Sequence, residues 1–452
     1  MAAKQGDGSE ALVEQEAAPD TQPAEYSDDE HLSAIDKQYA ATSSAVPRRI
    51  HILGTGSIGK LVAHALRGIA KPPPITLIFH RYQLLKAWQE GKQEITIHDD
   101  GHDIPRSGFD VELMQEVRKQ HGSQQGQQPQ QEPPADASPL PSQSFVSDEP
   151  IYNLIVTTKA AITVPALSAV KHRIGPTSTI CFLQNGMGII DEVNAKLFPD
   201  EDSRPNYIQG ILTHGANVPP EKKDPFYAVH AGHGSIALGL LPRAKSTANK
   251  SEAADDAPKD EKDIRPKQWA ATSRYLLRTL TRCPVLCAVG FTPTELLQQQ
   301  LEKLVANSVV NPLTALLDNR NGALLYNFAL TRTMRLLLAE TSHVITHLPE
   351  LRGLPGLEQR FSTERLETLV VGVANKTKDN ISSMLADVRA GRKTEIEYIN
   401  GYIVKRGEEL GVKCLVNYAI MQTVIGKAQM LQRETRGEVA TEEEKGRALR
   451  GD

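Results

Sequence analysis

The sequence has few of the residues that mark disulfide-rich, zinc-binding, nucleic-acid-binding or membrane proteins. Only four of its 452 residues are cysteine, and no two of them form a CxxC pair. We therefore expect reduced thiols in a reducing compartment and no cysteine-based zinc site. Aromatic residues make up 5% and the formal net charge is -4, which argues against a nucleic-acid partner. No apolar run approaches the roughly 18 residues that span a bilayer, so we expect no membrane partner.

The N-terminal stretch also lacks the marks of a targeting segment. It reads "MAAKQGDGSEALVEQEAAPDTQPAEYSDDEH" and is rich in acidic residues. A secretory signal needs an apolar core, and a mitochondrial transit peptide is basic and poor in acid. We therefore expect a cytoplasmic protein, with an association with mitochondria left open.

Several segments lack the apolar patterning that a core requires, yet 40% of the chain is hydrophobic, enough for two domains. We predict a disordered acidic extension over 1–47 and a charged tail over 434–452. Low-complexity sequence near 120–150 and 244–263 is predicted to loop out of the fold as two insertions. The remaining chain is assigned to one domain over 48–292 and a second over 293–433.

The first domain alternates strand-like and helix-like segments. Short apolar runs such as "RIHILGTG", "PITLIFHR", "YNLIVTTK" and "TSTICFLQNG" are followed by helical stretches. This alternation predicts an α/β fold with a mainly parallel, Rossmann-type sheet. "QEITIHDDGHDI" is typical of a β-hairpin turning at Asp100 and Gly101. After Thr292 strand patterns disappear, and helical periodicity predicts an all-helical second domain.

The first predicted strand ends in a glycine motif. "ILGTGSIGK" holds Gly54, Gly56 and Gly59 in GxGxxG spacing, between a strand and a helix. In that context the motif is typical of a dinucleotide-binding loop, whose helix N-terminus faces the pyrophosphate. The alternative is a glycine-rich turn that binds nothing. The predicted cofactor loop comprises Gly54, Thr55, Gly56, Ser57, Ile58 and Gly59.

The end of the second strand indicates which dinucleotide fits. NAD sites usually carry Asp or Glu there for the ribose hydroxyls, whereas this chain has His80 and Arg81. An arginine pairs well with a 2′-phosphate. We therefore predict NADP(H) as the cofactor, with Arg81 as its phosphate ligand; the alternative is a solvated loop arginine.

A polar trio interrupts an apolar helical stretch further along. In "EKLVANSVVNPLTALL", Lys303, Asn307 and Asn311 recur every four residues and so stack along one side of a helix. One interpretation is structural, with a lysine that extends its ammonium to solvent beside two boundary amides. The other is that an ammonium and two amides line a site.

The chain resembles the ketopantoate reductase (2-dehydropantoate 2-reductase) family. The resemblance rests on "GTGSIG", "TTK...LQNGMG", "EKLVANSVVNPLTA" and "SSMLADVRAGRKTEIEYINGYIV", in that order along the chain. "THGANV" and "AGHGSIALG" also resemble the strand pair that ends the family's N-terminal domain. The extension, the insertions and the tail depart from the family pattern but interrupt no motif. The resemblance implies reduction of 2-dehydropantoate to (R)-pantoate with NADPH in pantothenate and coenzyme A synthesis.

The same resemblance implies roles for individual residues. Lys303 would be the catalytic lysine, and Glu395 the glutamate near cofactor and substrate. Asn307, Asn311 and Ser383 would bind the substrate. These roles suit the chemistry, because an ammonium can stabilise the charge that grows on a ketone oxygen and donate the proton.

On the cofactor side, the resemblance implies Lys159 and Asn185 as lining residues. By themselves Lys159 is also typical of a solvated strand end, and Asn185 with Gly186 of a turn. Two alternative functions remain open: a reductase of another 2-oxo acid on the same fold, and a catalytically silent relative that binds or regulates. A homodimer is also left open.

Three histidines near the end of the first domain, His214, His230 and His233, could suggest a metal site. No carboxylate lies at ligand spacing from them along the chain. We therefore assign them a structural role and predict no metal site.

Overall fold

The computed structural model describes residues 46–114, 145–219, 221–242 and 269–436. Nearly all of the predicted acidic extension, most of the first insertion, all of the second and most of the tail lie outside these described residues. None of the helices in the four described ranges is long and apolar enough to cross a membrane.

Twelve strands form two sheets in the described part of the chain. The strands are β1 (Ile50–Leu53), β2 (Ile75–Phe79), β3 (Glu94–Asp99), β4 (His102–Ser107), β5 (Asp110–Leu113), β6 (Asn153–Val156), β7 (Thr179–Phe182), β8 (Asn206–Leu212), β9 (Gly215–Asn217), β10 (Tyr227–Gly232), β11 (Ile236–Leu240) and β12 (Ala288–Gly290). Eight strands make the larger sheet, in the order β12-β11-β8-β7-β6-β1-β2-β5, and four make the smaller one, in the order β4-β3-β10-β9.

Six neighbouring strands of the larger sheet are parallel and have the dinucleotide-binding order. From β5 through β2, β1, β6 and β7 to β8, every pair is parallel. Numbered by their own sequence, these six strands run 3-2-1-4-5-6, the order of a doubly wound nucleotide-binding sheet. Strand β11 then pairs antiparallel with β8, and β12 pairs parallel with β11. The prediction of a mainly parallel α/β sheet is confirmed.

Twelve α-helices accompany the strands in the same described ranges. They are α1 (Ser57–Arg67), α2 (Tyr82–Glu90), α3 (Ala160–Val170), α4 (Ile189–Lys196), α5 (Ala271–Thr281), α6 (Pro293–Leu317), α7 (Phe328–Thr346), α8 (Leu357–Arg360), α9 (Thr363–Lys376), α10 (Ser383–Arg389), α11 (Asn400–Glu409) and α12 (Leu415–Arg436). Within the described residues no strand follows Gly290, so the prediction of a helical C-terminal part is confirmed.

The larger sheet is buried on both faces. In β1, Ile50 and Ile52 belong to one apolar cluster, whereas Leu53 belongs to another. In β6, Ile155 joins the first cluster and Leu154 the second. Because side chains alternate across a strand, the two clusters lie on opposite faces of the sheet. This explains why the strands are continuous apolar runs instead of alternating ones.

The hairpin of the smaller sheet turns where the sequence predicts. Strands β3 and β4 pair antiparallel from Glu94 with Ser107 to Asp99 with His102. Asp100 and Gly101 have φ of 45° and 83°. Two successive residues with positive φ are the mark of the tight turns that Asp-Gly pairs favour.

Helix α6 begins and ends at clear sequence signals. Thr292 Oγ1 accepts a hydrogen bond from the Glu295 N–H at 3.3 Å, and the Glu295 carboxylate accepts one from the Thr292 N–H at 3.0 Å. This reciprocal cap, with Pro293 at the first helical position, fixes the start. Asp318, with φ of 53°, ends the helix. The 25 residues of the helix span about 37 Å.

One end of the first predicted insertion differs from the expectation. Residues 115–144 lie outside the described residues, but Phe145 packs against the core cluster of the larger sheet. Arg173 Nε also donates a hydrogen bond to the Glu149 carbonyl at 2.7 Å. The predicted end of the insertion at 150 is therefore too late. Phe145 packs against the core, but it follows a long polar stretch and was assigned to it.

Candidate active site

The carboxyl ends of β1, β6 and β7 meet at one edge of the larger sheet. The Thr157 N–H, just after β6, donates to the Leu53 carbonyl at the end of β1, at 2.9 Å. Lys159 follows β6 and Asn185 follows β7. In doubly wound sheets, ligands bind at this edge, where the strand order reverses.

The three motif glycines differ in what requires them. Gly54 has φ of 108°, and an added Cβ would lie 2.7 Å from the Thr158 N. A Cβ on Gly59 would overlap the Gly54 carbonyl oxygen. A Cβ on Gly56, in contrast, would meet nothing within 4 Å. The fold itself therefore requires Gly54 and Gly59, whereas Gly56 leaves open space in front of the loop, as a backbone that binds pyrophosphate must.

The other loop residues present backbone to that space. Gly56 is the exposed N-cap of α1, and Ser57 is the first residue of the helix. The free N–H groups of a first helical turn favour an anion. Thr55 is half-buried, and Ile58 packs against the core. The arrangement fits the diphosphate of a dinucleotide.

Arg81 lies at the same edge of the sheet. Strand β2 pairs with β1 in register from Ile50 with Ile75 to Leu53 with Ile78, so both strands end together. Arg81 follows β2 by two residues, is exposed, and is the N-cap of α2. Burial and the neighbouring Arg81 charge lower the pKa of His80, which disfavours a second cation there. Arg81 is thus an exposed residue at the same edge of the sheet as the glycine loop.

Lys303 is held from two sides. Its Nζ donates to the Asn185 side-chain carbonyl at 2.9 Å and to the Leu212 main-chain carbonyl at 2.6 Å. The residue is half-buried in the middle of α6. Burial lowers the pKa of Lys303 to about 8, and the nearby Glu395 carboxylate opposes that shift. An amine with this pKa exchanges a proton readily near neutral pH.

Glu395 is buried, only 5% exposed, and its carboxylate is shared among three groups. Oε1 accepts from the Ala160 N–H at 3.0 Å, and Oε2 accepts from Asn185 Nδ2 at 3.4 Å. Lys159 Nζ lies 3.8 Å from Oε2. Asn185 therefore bridges Lys303 and Glu395. The family resemblance implied that Asn185 lines the cofactor, and the structure adds a direct hydrogen bond with Lys303.

Lys159 has a partner that the sequence did not single out. Its Nζ donates to Asp387 Oδ2 at 2.8 Å, and Arg392 Nε donates to Asp387 Oδ1 at 3.0 Å. Asp387 is 2% exposed. The signal was available, because Asp387 follows Ser383 by one helical turn inside the motif that begins "SSMLADVR". From sequence alone, however, a buried, paired aspartate in a helix is hard to distinguish from an aspartate exposed to solvent.

A pocket opens between the Asn185 turn and α6. Lys303 and Asn307 line it from the helix, and Asn185 and Met187 from the turn. The complete lining is Gln184, Asn185, Gly186, Met187, Gly210, Ile211, Gln300, Lys303, Leu304 and Asn307. The structure thus brings the Lys303 ammonium together with four side-chain amides at one pocket, two of them the predicted Asn185 and Asn307.

Two predicted substrate residues lie elsewhere. Asn311, one turn beyond Asn307 on α6, is 8% exposed and does not line the pocket as the described residues form it. Ser383 is exposed at the first position of α10, on the helix that carries Asp387. The structure places both near the site's elements without bringing their side chains into it.

The predicted structural histidines do have a carboxylate neighbour. Asp99 Oδ1 lies 3.1 Å from His233 Nε2 and 3.4 Å from His230 Nδ1. Along the chain no carboxylate lies at ligand spacing from these histidines, but sheet pairing brings β3, which ends at Asp99, beside β10 from a distant part of the chain.

Comparisons with known proteins agree with this architecture. The family model described as "Ketopantoate reductase PanE/ApbA" matches residues 50–243, and "Ketopantoate reductase PanE/ApbA C terminal" matches residues 295–428. A Schizosaccharomyces pombe protein named "Probable 2-dehydropantoate 2-reductase" is 32% identical over 374 residues, which are 82% of this chain and 94% of that protein. A Beauveria bassiana protein named "Ketoisovalerate reductase" is 26% identical over 408 residues, and the alignment covers 82% of this chain and 81% of that protein.

A solved structure shares the fold. The ternary structure of D-mandelate dehydrogenase with NADH and anilino(oxo)acetate aligns with a TM-score of 0.56 at 18% identity. The alignment covers 85% of this chain and 99% of that one. At this identity the likeness concerns the fold.

Proposed function

Because the chain belongs to the ketopantoate reductase family, we propose that it reduces 2-dehydropantoate (ketopantoate) to (R)-pantoate with NADPH, in pantothenate and coenzyme A synthesis. One observation carries the proposal. The Lys303 ammonium is held by Asn185 and the Leu212 carbonyl at a pocket beside the dinucleotide edge of the sheet. The names of the relatives and the chemistry of the site both support a reductase of a 2-oxo acid.

The chain's own residues do the proton chemistry. A bound nicotinamide dinucleotide supplies the hydride. Lys303 Nζ stabilises the negative charge that develops on the ketone oxygen and gives that oxygen its proton. Asn185 Oδ1 and the Leu212 carbonyl hold Nζ in place, so one N–H remains to point into the pocket. Glu395, joined to Asn185, favours the charged lysine that this step needs.

Asn307 supports the hydroxylated substrate. It lines the pocket one turn beyond Lys303, and its amide can both donate to and accept from a hydroxyl or carboxylate. Ketopantoate has a hydroxyl that ketoisovalerate lacks. A site built to bind a hydroxyl rejects the analogue without it far more strongly than an apolar pocket rejects a missing methyl group.

Arg81 supports NADPH as the reductant. It is an exposed guanidinium after β2, where NAD-binding sites carry an acid. The solved structure of D-mandelate dehydrogenase that shares this fold is named with NADH, so the proposal of NADPH rests on Arg81.

A second 2-oxo acid is a specific alternative. The Beauveria bassiana relative named for ketoisovalerate covers as large a share of this chain as the Schizosaccharomyces pombe relative does. The alternative predicts equal or better turnover of the acid that lacks the hydroxyl.

The test is NADPH oxidation by the full chain with ketopantoate, ketoisovalerate and other 2-oxo acids. We expect the highest kcat/KM for ketopantoate. Lys303→Ala is expected to lower kcat by about 100-fold or more, the scale of losing a general acid, while the protein stays folded. Asn307→Ala is expected to act mainly on KM and to narrow the preference for ketopantoate over ketoisovalerate.

Three outcomes count against the proposal. A preference for ketoisovalerate would favour the alternative substrate. Folded protein with no turnover of any acid would indicate a binding or regulatory relative. Normal turnover by both variants would place the active site elsewhere and leave the trio on α6 with a structural role.

A further inference from the structure

Three side chains of the smaller sheet direct ligand atoms at one point. Asp99 is the last residue of β3, His230 lies in the neighbouring parallel strand β10, and His233 follows β10. The pairing register of β10 with β9 shifts between His230 and Gly232, as it does at a β-bulge, just before His233. Bulges commonly re-aim a side chain.

The distances among these atoms match the edges of a small tetrahedron. Asp99 Oδ1 lies 3.4 Å from His230 Nδ1 and 3.1 Å from His233 Nε2. Each of the three residues places one ligand atom within 4.8 Å of those of the other two. Zinc bonds to imidazole nitrogen and carboxylate oxygen are about 2.0–2.2 Å, so ligand atoms around tetrahedral zinc lie about 3.3–3.5 Å apart.

Hydrogen bonds behind the cluster set the tautomer of His230. The Gly234 N–H, which can only donate, lies 3.1 Å from His214 Nδ1, so that nitrogen has no proton. His214 Nε2 donates to the Leu286 carbonyl at 3.1 Å. His230 Nε2 lies 3.1 Å from His214 Nδ1 and must therefore be the protonated nitrogen of its own ring. In neutral His230 this leaves a lone pair on Nδ1.

The lone pair on His230 Nδ1 faces the carboxylate oxygen Oδ1 of Asp99 at 3.4 Å. The His230 side chain is fully buried. Its Nδ1 is a buried atom without a hydrogen-bond partner among the described residues, and Asp99 Oδ1 makes no hydrogen bond there beyond its 3.1 Å approach to His233 Nε2. Buried polar atoms are normally satisfied, and two acceptors 3.4 Å apart repel each other. A cation between them and His233 Nε2 would satisfy all three atoms.

We propose that Asp99, His230 and His233 bind a divalent transition-metal ion of the zinc type. His214 acts as a positioning residue, because its hydrogen bond holds the His230 ring with Nδ1 free to ligate. The exposed Asp100, whose Oδ1 lies 3.8 Å from His233 Nε2, is close enough to compete with water for the fourth position. The ion would fasten the β3–β4 hairpin to β10, independently of the reductase reaction.

The experiment uses the full, tag-free chain after treatment with a chelator. Co²⁺ and Zn²⁺ are the probes: visible absorption of Co²⁺ reports tetrahedral coordination, and Zn²⁺ competition and calorimetry give affinity and stoichiometry. The variants are Asp99→Asn and His233→Ala, whose side chains are partly or largely exposed. The matched control is His98→Ala, because His98 pairs with Asp103 on the same hairpin at 2.7 Å outside the cluster.

We expect one tight site per wild-type chain, without thiolate absorption, and a higher melting temperature with Zn²⁺ than without it. Both ligand variants should bind at least tenfold more weakly and lose the thermal shift, while His98→Ala keeps both. The proposal is overturned if wild-type protein binds no metal, in which case the cluster shares a proton. It is equally overturned if the ligand variants bind as tightly as wild type.

Discussion

The Lys303 ammonium sits between two opposing influences. Burial removes water from the charge and lowers its pKa to about 8, whereas Glu395 favours the charged form. Both groups also contact Asn185, so the lysine, the amide and the carboxylate form one chain of hydrogen bonds. The protonation state of this chain should therefore control turnover in an accessible pH range.

We expect kcat/KM for ketone reduction to fall as pH rises through about 8, because the proton-donating ammonium is then depleted. An ordinary lysine would lose its proton near 10.4. Glu395→Gln removes the charge that favours the ammonium, so the fall should move to lower pH. The measurement is the pH profile of kcat/KM for wild type and variant.

Glu397→Gln is the matched control for that profile. Glu397 is exposed and pairs with Lys393 at 2.9 Å, two residues along the same segment. It should leave the midpoint unchanged. A wild-type midpoint near 10, or a shift to higher pH in Glu395→Gln, would contradict the assignment of Lys303 as the proton donor.

Single site residues could be predicted where they belong to a sequence motif. They could not be predicted where only the folded chain brings them together. The trio on α6 marked Lys303 from the sequence, and the family resemblance added Asn185 and Glu395. The Leu212 carbonyl carries no sequence signal, because every residue has one. Asp99 and His230 are 131 positions apart by their numbers and meet only through sheet pairing.

At the scale of elements, the cofactor loop depends on where strands end. Alternating apolar and helical runs predicted β1, β2, β6 and β7, whose ends carry the site. The three-residue strand β12 was not predicted, because so few residues cannot show a period, and three-residue β9 was indicated only by the family resemblance of "THGANV". Their pairing is fixed by neighbours instead of by their own composition.

Arg81 tests the element after β2 directly. We expect Arg81→Ala to weaken NADPH binding about tenfold or more while NADH binding changes little, because only NADPH offers the 2′-phosphate. Binding of each dinucleotide is measured by fluorescence titration. Lys86→Ala, on the exposed side of the same helix α2, is the control and should alter neither. Equal losses for both cofactors would show that Arg81 does not recognise the phosphate.

At the scale of the whole molecule, the chain is a family fold with added polar segments. The two ends of the first added segment lie close together. Leu113 and Met114 before it, and Val146 and Ser147 after it, line one small pocket with Arg173. A fold that already closes this junction should not need the intervening residues 115–144, which are rich in Gln and Pro.

Deleting residues 121–140 should therefore leave the enzyme intact. The deletion keeps Phe145, which packs on the core, and leaves about ten residues, a reach of about 33 Å, to join Met114 to Phe145. Shortening the loop threefold lowers its closure cost by about 1 kcal/mol, so the melting temperature should stay or rise slightly. Turnover of ketopantoate should match wild type.

The control is Phe145→Ala in the full chain. It should lower the melting temperature, because this substitution removes apolar contacts with the core, whereas the deletion removes only polar residues. A deletion as damaging as that substitution would mean that the segment docks on the fold.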